Sequence, residues 1–207
     1  YRYVSENNLD VIHTHSSVDS WLGGLVGKAS GIPVVRTRHV SLPVKDFFPN
    51  HLLYSHIPQR ILTSGGMISD IVKQIRYVDS GNVVSIPAGV DLRRFNSDIL
   101  GEKIRKELKV EPDQILIGKI GVIRGWKGHN YFLEAIPLIL KKVPDAKFVI
   151  VGDGPGFKEI RSKVKIAGLG DKVVLLGHRE DVPEIMAALD VQVLASFAGE
   201  GTPQVIP

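Results

Sequence analysis

The chain has 207 residues, of which 43% are apolar, and a net charge of +4, enough for one large or two small domains with real cores. Basic residues number 10 against 7 acidic ones over residues 1–96 and 16 against 15 over residues 97–207, so no basic stripe emerges and a nucleic-acid surface is poorly supported. The absence of Cys excludes disulfide frameworks and thiolate metal sites and suits a reducing compartment, and no apolar run approaches the length of a bilayer span.

No signal peptide is visible, which predicts a soluble or peripheral, cytoplasmic protein. Tyr1 is not a Met, and Pro207 stops just after a loop that enters a helix, so the chain reads as an internal fragment. In chain order, "LDVIHTH" (Leu9–His15) is a short strand. "SWLGGLVGKAS" (Ser20–Ser30) is a helix with small residues on its packing face, and "GIPVVRTRHV" (Gly31–Val40) supplies a turn and a second strand. Strands alternating with helices predict a parallel sheet covered on both faces.

His13 and His15 are two residues apart and therefore share a strand face. Two readings stand: a metal half-site completed by His39, or side chains lining the crevice at the strand ends, where open parallel sheets place their ligands. No carboxylate stands at a matching spacing, so the crevice reading leads. His39, at the exit of the second strand, is the functional candidate, with a hydrogen-bonded structural His as its competitor.

Residues 41–59 are Pro-bearing and aromatic and read as a long excursion with one short helix. A strand (Arg60–Thr63) and a helix (Met67–Ile75) follow, with Ser64 and two glycines at the turn, where capping or an acceptor anion would use the free N–H groups. "NVVSIPAGVDLRRF" closes the first half with a strand and an irregular exit through Gly89 and Asp91.

A charged helix over Ser97–Val110 and then Pro112 mark a change of composition. The predicted organisation is a domain over 1–96, a boundary over 97–113 and a second domain over 114–207. In the latter the predicted strands are 115–122, 147–151, 173–176 and 191–194, and the predicted helices 129–142, 156–167 and 182–188.

Three glycine-bearing turns follow those strands, "VGDGPG", "LGHREDVP" and "ASFAGEGTP", each weak as a motif alone. The turn after the first strand is different. "RGWKG" places Arg124 and Lys127 three residues apart at a helix start, a planar fork and a mobile point charge beside unpaired backbone N–H groups. Taken by itself it is either a phosphate grip or a solvated basic loop.

The ordered set "SIPAGVDLRRF", "GVIRGWKGHNYFLEA", "VIVGDGPG", "VVLLGHREDVPEIMAALDVQVLAS" and "EGTP" closely resembles the retaining glycosyltransferases of group 1, a family 4-like set with the GT-B fold. The resemblance covers nearly the whole chain. It implies an α/β protein of two Rossmann-like, doubly wound parallel-sheet domains, both incomplete here, the second binding a nucleotide-sugar and the first the acceptor.

Residue by residue, the resemblance assigns Lys127 to the donor diphosphate. The family's second cation would fall at position 122, which is Val122, so Arg124 is the substitute. The backbone around Arg179 matches the segment that meets the nucleobase, with Asp181 nearby. Glu200 matches the first member of a paired-Glu motif and would hold donor-sugar hydroxyls, its partner falling at position 208, beyond Pro207. Gly201 and Thr202 would offer backbone N–H groups, and His39 would point at the transferred sugar.

The implied reaction is transfer of a sugar from a nucleoside diphosphate to the hydroxyl of a saccharide or lipid-linked acceptor, with retention, in envelope polysaccharide or glycolipid synthesis. Protein cations replace a divalent metal, so no metal or other cofactor is expected. Contact with the inner face of the membrane is left open. The rival readings are a sugar-nucleotide epimerase of similar architecture and a non-catalytic nucleotide-sugar-binding remnant.

Overall fold

The computed structural model describes residues 2–198, 200, 201 and 203–205. By packing the chain divides into two compact units, one formed by Tyr1–Gly89 with Gly199–Ile206 and the other centred on Val90–Ala198.

In the first unit a short helix, α1 (Arg2–Glu6), precedes β1 (Ile12–Thr14). Helix α2 (Ser17–Ser30) starts at a capping box shared by Ser16 and Asp19 and stops at Gly31 in the left-handed conformation. Its glycines are the packing face: a Cβ on Gly24 or Gly27 would lie 2.5 Å from Ile57 or 2.4 Å from Val34. Then come β2 (Val34–Arg38), α3 (Phe48–His51) with one wide helical turn at Leu52–His56, β3 (Arg60–Thr63), α4 (Gly66–Lys73) and β4 (Val83–Ser85).

The four strands are parallel in the order β1-β2-β3-β4. Leu53, Tyr54 and Ile57, from the excursion over residues 41–59, join Val34, Ile61, Ile68 and Val72 in the core. The excursion is therefore a lid on one sheet face, held by burial of its apolar side chains.

The second unit comprises α5 (Glu102–Glu107), β5 (Leu116–Ile120), α6 (His129–Leu140), β6 (Lys147–Val151), α7 (Phe157–Ile166), β7 (Val173–Gly177), α8 (Val182–Ala188) and β8 (Val191–Gln192). The strands are parallel in the order β7-β6-β5-β8. β6 is buried on both faces: Phe148 and Ile150 meet Phe132, Ile136 and Ile160, while Val149 and Val151 meet Ile104, Leu116 and Ile185. That is the signature of a doubly wound sheet.

Both sheets are of the predicted class, but several elements are shorter than predicted. The strand expected over Leu9–His15 pairs only at Ile12–Thr14, and the one over 115–122 only at Leu116–Ile120. The helix expected over Ser97–Val110 is confined to Glu102–Glu107. It begins where Ile104 and Leu108 reach the second core, and at Gly101 the backbone presses on α8, a Cβ there falling 2.3 Å from Ala188. The stretch 97–113, read as a boundary, thus packs with the second unit.

Gly128 starts α6 in the left-handed region at φ 71°, and a Cβ on it would stand 1.8 Å from the Ala195 carbonyl oxygen. Strain and overlap act together, so Gly128→Ala is expected to cost about 2–4 kcal/mol, read as a lower urea midpoint with unchanged m.

Candidate functional site

At the carboxyl edge of the second sheet β5 ends at Ile120, and Gly121 and Val122 lead to a single 3₁₀ turn, Gly125–Lys127. Ile123 is the anchor of this turn, 1% exposed in the core. Arg124 is extended and solvent-exposed, its guanidinium 5.5 Å from the centre of the Trp126 ring. Lys127 is half-buried and its N–H donates to the Arg124 carbonyl at 3.0 Å. No side chain caps α6, so the first N–H groups of that helix face the turn.

The turn is clamped from two sides. The loop after β8 closes on it: Phe197 N–H donates to Trp126 O at 3.1 Å, and the Phe197 ring meets Tyr131 edge-on at 5.6 Å. The loop after β6 closes from the other side, Ile123 N–H donating to Asp153 O at 2.9 Å and Gly156 N–H to Ile123 O at 3.1 Å. Gly152 permits this approach, because a Cβ on it would lie 2.1 Å from Gly121 O. The result is a rigid rim of backbone around two cations.

Arg179 and Asp181 follow β7. The Arg179 guanidinium donates to Asp181 at 2.7 and 2.6 Å and to Glu107 of α5 at 2.6 and 3.1 Å. These hydrogen bonds, from Asp181 first, push Arg179 above its ordinary value, and Arg179 in turn holds both carboxylates below theirs. The side chain is thus committed to bracing the loop on α5, and what it leaves for a ligand is backbone.

In the first unit the histidines do meet. His15 Nδ1 and His39 Nε2 are 3.0 Å apart with the rings stacked at 10°, and the His13 ring lies 4.2 Å from that of His15. His13 Nε2 is 2.7 Å from Thr37 Oγ1. Burial first, then the charges of His15 and His39, push His13 below the ordinary imidazole value. Asp19 fixes the end of β1, accepting from the N–H groups of His15 and Ser16 at 2.8 and 2.6 Å. Burial alone would raise the Asp19 carboxyl, but these bonds hold it at about 2.

Among the described residues no group of three His, Cys, Asp or Glu side chains is arranged to hold a metal. Gly201 packs in the first unit against His39, where a Cβ would fall 2.5 Å from the His39 carbonyl oxygen, and Glu200 precedes it, half-buried. Thr202 lies outside the described residues. At α4 the N-cap is Gly65 without a side-chain bond, so the capping expected there is absent.

Sequence reasoning missed three features. His129, the first residue of α6, is 3% exposed with both ring nitrogens unpartnered. Burial, then the charges of Lys119 and Lys127, depress it to about 4. Ser196 Oγ, in the loop clamped on that turn, is buried without a partner. Arg36 is buried in β2 at 4% exposure. No spacing rule marks any of them, because their environment comes from distant segments.

Two family models match the chain, Glycosyl transferases group 1 over residues 101–206 and Glycosyltransferase Family 4 over residues 1–94. The UDP-Gal:alpha-D-GlcNAc-diphosphoundecaprenol alpha-1,3-galactosyltransferase of Escherichia coli is 31% identical over all of this chain and 56% of its own length. The 2-deoxystreptamine N-acetyl-D-glucosaminyltransferase of Streptomyces fradiae is 28% identical over 90% of this chain and 49% of its own. The chain spans about half the length of these relatives. In fold it is similar to Anabaena HepE, solved with UDP, at a TM-score of 0.80 and 23% identity over 95% of this chain and 56% of that one.

The burial of His129 can be tested by pH. Its folded value lies below the ordinary 6.5, so stability is full above pH 6.5 and is lost as pH falls towards 4, where the unfolded chain takes up the proton first. Thermal melts from pH 7.5 to 4.5 are expected to show wild type losing stability relative to His129→Leu only below about pH 6.5.

Proposed function

Because the chain belongs to the glycosyl transferases of group 1, we propose that it serves an enzyme moving a hexose from a nucleoside-diphosphate sugar to an acceptor hydroxyl with retained configuration. The observation that carries this reading is the turn at Arg124–Lys127, two cations at an uncapped helix start inside a rim of fixed backbone. A departing diphosphate gathers negative charge at such a place. Donors fixed before the reaction lower the barrier more than they stabilise the ground state.

In this reading the bond from the anomeric carbon to the diphosphate oxygen breaks and a bond to the acceptor oxygen forms on the same face. The acceptor proton passes to the leaving phosphate. Lys127 and Arg124 hold the diphosphate, Arg124 standing in for the cation that Val122 does not supply. Glu200 holds donor-sugar hydroxyls, Gly201 and Thr202 give backbone N–H groups, and His39 orients the transferred sugar. The nucleobase lies along the backbone at Arg179 and Asp181, whose side chains brace one another.

UDP is the proposed nucleotide, supported by the E. coli relative's UDP-Gal donor and by HepE's complex with UDP. A lipid-linked saccharide acceptor at the inner face of the membrane is supported by the diphosphoundecaprenol substrate in the name of the same relative. No helix among the described residues is long and apolar enough to cross a membrane. Charge from protein cations takes the place of a metal.

Isothermal titration with UDP tests the site. Lys127→Ala is expected to weaken binding by at least about tenfold, the scale of one charge-assisted contact, with EDTA leaving wild-type affinity unchanged. Equal affinity in wild type and Lys127→Ala sinks the assignment. Release of UDP with a glycosylated acceptor, rather than an isomerised donor, separates transferase from epimerase.

A further inference from the structure

The sequence "VVRTR" sets Arg36 and Arg38 on one face of β2, the face roofed by the excursion over residues 41–59. Both guanidinium groups turn to one phenol. Arg36 Nη2 donates to Tyr54 Oη at 3.1 Å and Arg38 Nη1 to the same oxygen at 2.6 Å, while Arg38 Nη2 donates to the Leu42 carbonyl. The Arg36 guanidinium carbon also lies 4.3 Å from the centre of the Tyr54 ring.

That leaves Nε and Nη1 of Arg36 and Nε of Arg38 buried without any partner. Arg36 is 4% exposed, and among the described residues no carboxylate is in ion-pair contact with either arginine. Burial pulls Arg36 below its ordinary value. Tyr54 offsets that, Arg38 adds to it, and the attraction of Asp19 ranks last. Stability alone favours an apolar side chain at such a position, since an unpaired buried charge costs more than it returns. Two like charges that meet only neutral acceptors, the Tyr54 hydroxyl and the Leu42 carbonyl, with three donor nitrogens left over, are matched to an anion.

We propose that Arg36 and Arg38 form a binding site for a phosphoryl group, the phosphate of a phosphorylated acceptor. A phosphoryl dianion matches the pair in charge, and its oxygens take both forks at once, replacing Tyr54 Oη and Leu42 O as acceptors. Residues 43–46 of the roof have no helix or strand, and Pro43, Val44 and Asp46 line a cavity of about 280 Å3 against Ile71 and Ile75. Lys45, Leu42 and Phe48 of the same roof are exposed, a mixture suited to a phosphate carried on an apolar chain. Only the identification of the phosphate with an acceptor rests on the transferase reading; the anion site itself does not.

The test is calorimetric titration of Lys127→Ala protein, in which the turn of the second unit is disabled, with inorganic phosphate, glucose 1-phosphate and geranyl phosphate at constant ionic strength. Millimolar or tighter binding of at least one probe is expected, weakened at least about tenfold by added Arg36→Met and by added Arg38→Met. Tighter binding of geranyl phosphate assigns the site to a lipid-linked phosphate, and tighter binding of glucose 1-phosphate to a soluble one; both support it. Binding of no probe, or binding unchanged by the arginine substitutions, overturns it. Arg38 is only half-buried, so Arg38→Met decides the matter even where Arg36→Met does not fold. Because UDP is absent from this titration, failure of the donor assignment at Lys127 and failure of this site are read separately.

Discussion

Where Gly128 meets Ala195 the chain has room for a hydrogen and nothing larger. The rest of the second unit's carboxyl edge depends on that close approach. It lets the loop after β8 lie on the start of α6, so that Phe197 bonds to Trp126 and the turn carrying Arg124 and Lys127 becomes part of a fixed rim. A parallel sheet brings all its strand ends to one edge, but it does not by itself bring them into contact. Here the contact is made by backbone on backbone, through Gly121, Gly152 and Ile123 as well, and a dipole fixed in this way needs no reorganisation when charge arrives.

Charge is handled in two opposite ways in this molecule. At Arg179 every favourable option is taken: a bidentate bond to Asp181, another to Glu107, and the loop after β7 held on α5. Arg105 behaves similarly, bonding to Ala188 O, Gln114 O and Asp190. At Arg36 and Arg38 the donors outnumber the acceptors, and at His129 a buried imidazole has none at all. Fold stability explains the first group. It does not explain the second, and local rules that fail without compensation are where function is to be sought.

The two units differ in what holds the ends of their strands. The second uses glycine turns and a hydrophobic clamp, and its cations are presented on short backbone segments. The first uses side chains: Asp19 pins the end of β1, His15 meets His39, and Tyr54 gathers two arginines beneath the excursion over residues 41–59. A rim of backbone suits a ligand whose charge is always in the same place.

Much of this was legible in the chain itself. Val-rich runs such as "KFVIV" between amphipathic stretches dictated parallel sheets, and glycine and charge at 124–128 marked the turn, because period and composition act over a few residues. The same local signals overran element ends, as in the helix expected from Ser97, since pairing and core contact set where an element stops. That Arg179 is spent on Glu107, 72 residues away, that His15 reaches His39, and that Arg36 is entombed beside Tyr54 were decisions of the tertiary structure alone. Burial and pairing are properties of what surrounds a residue, and those surroundings arrive from parts of the chain that no local pattern encodes.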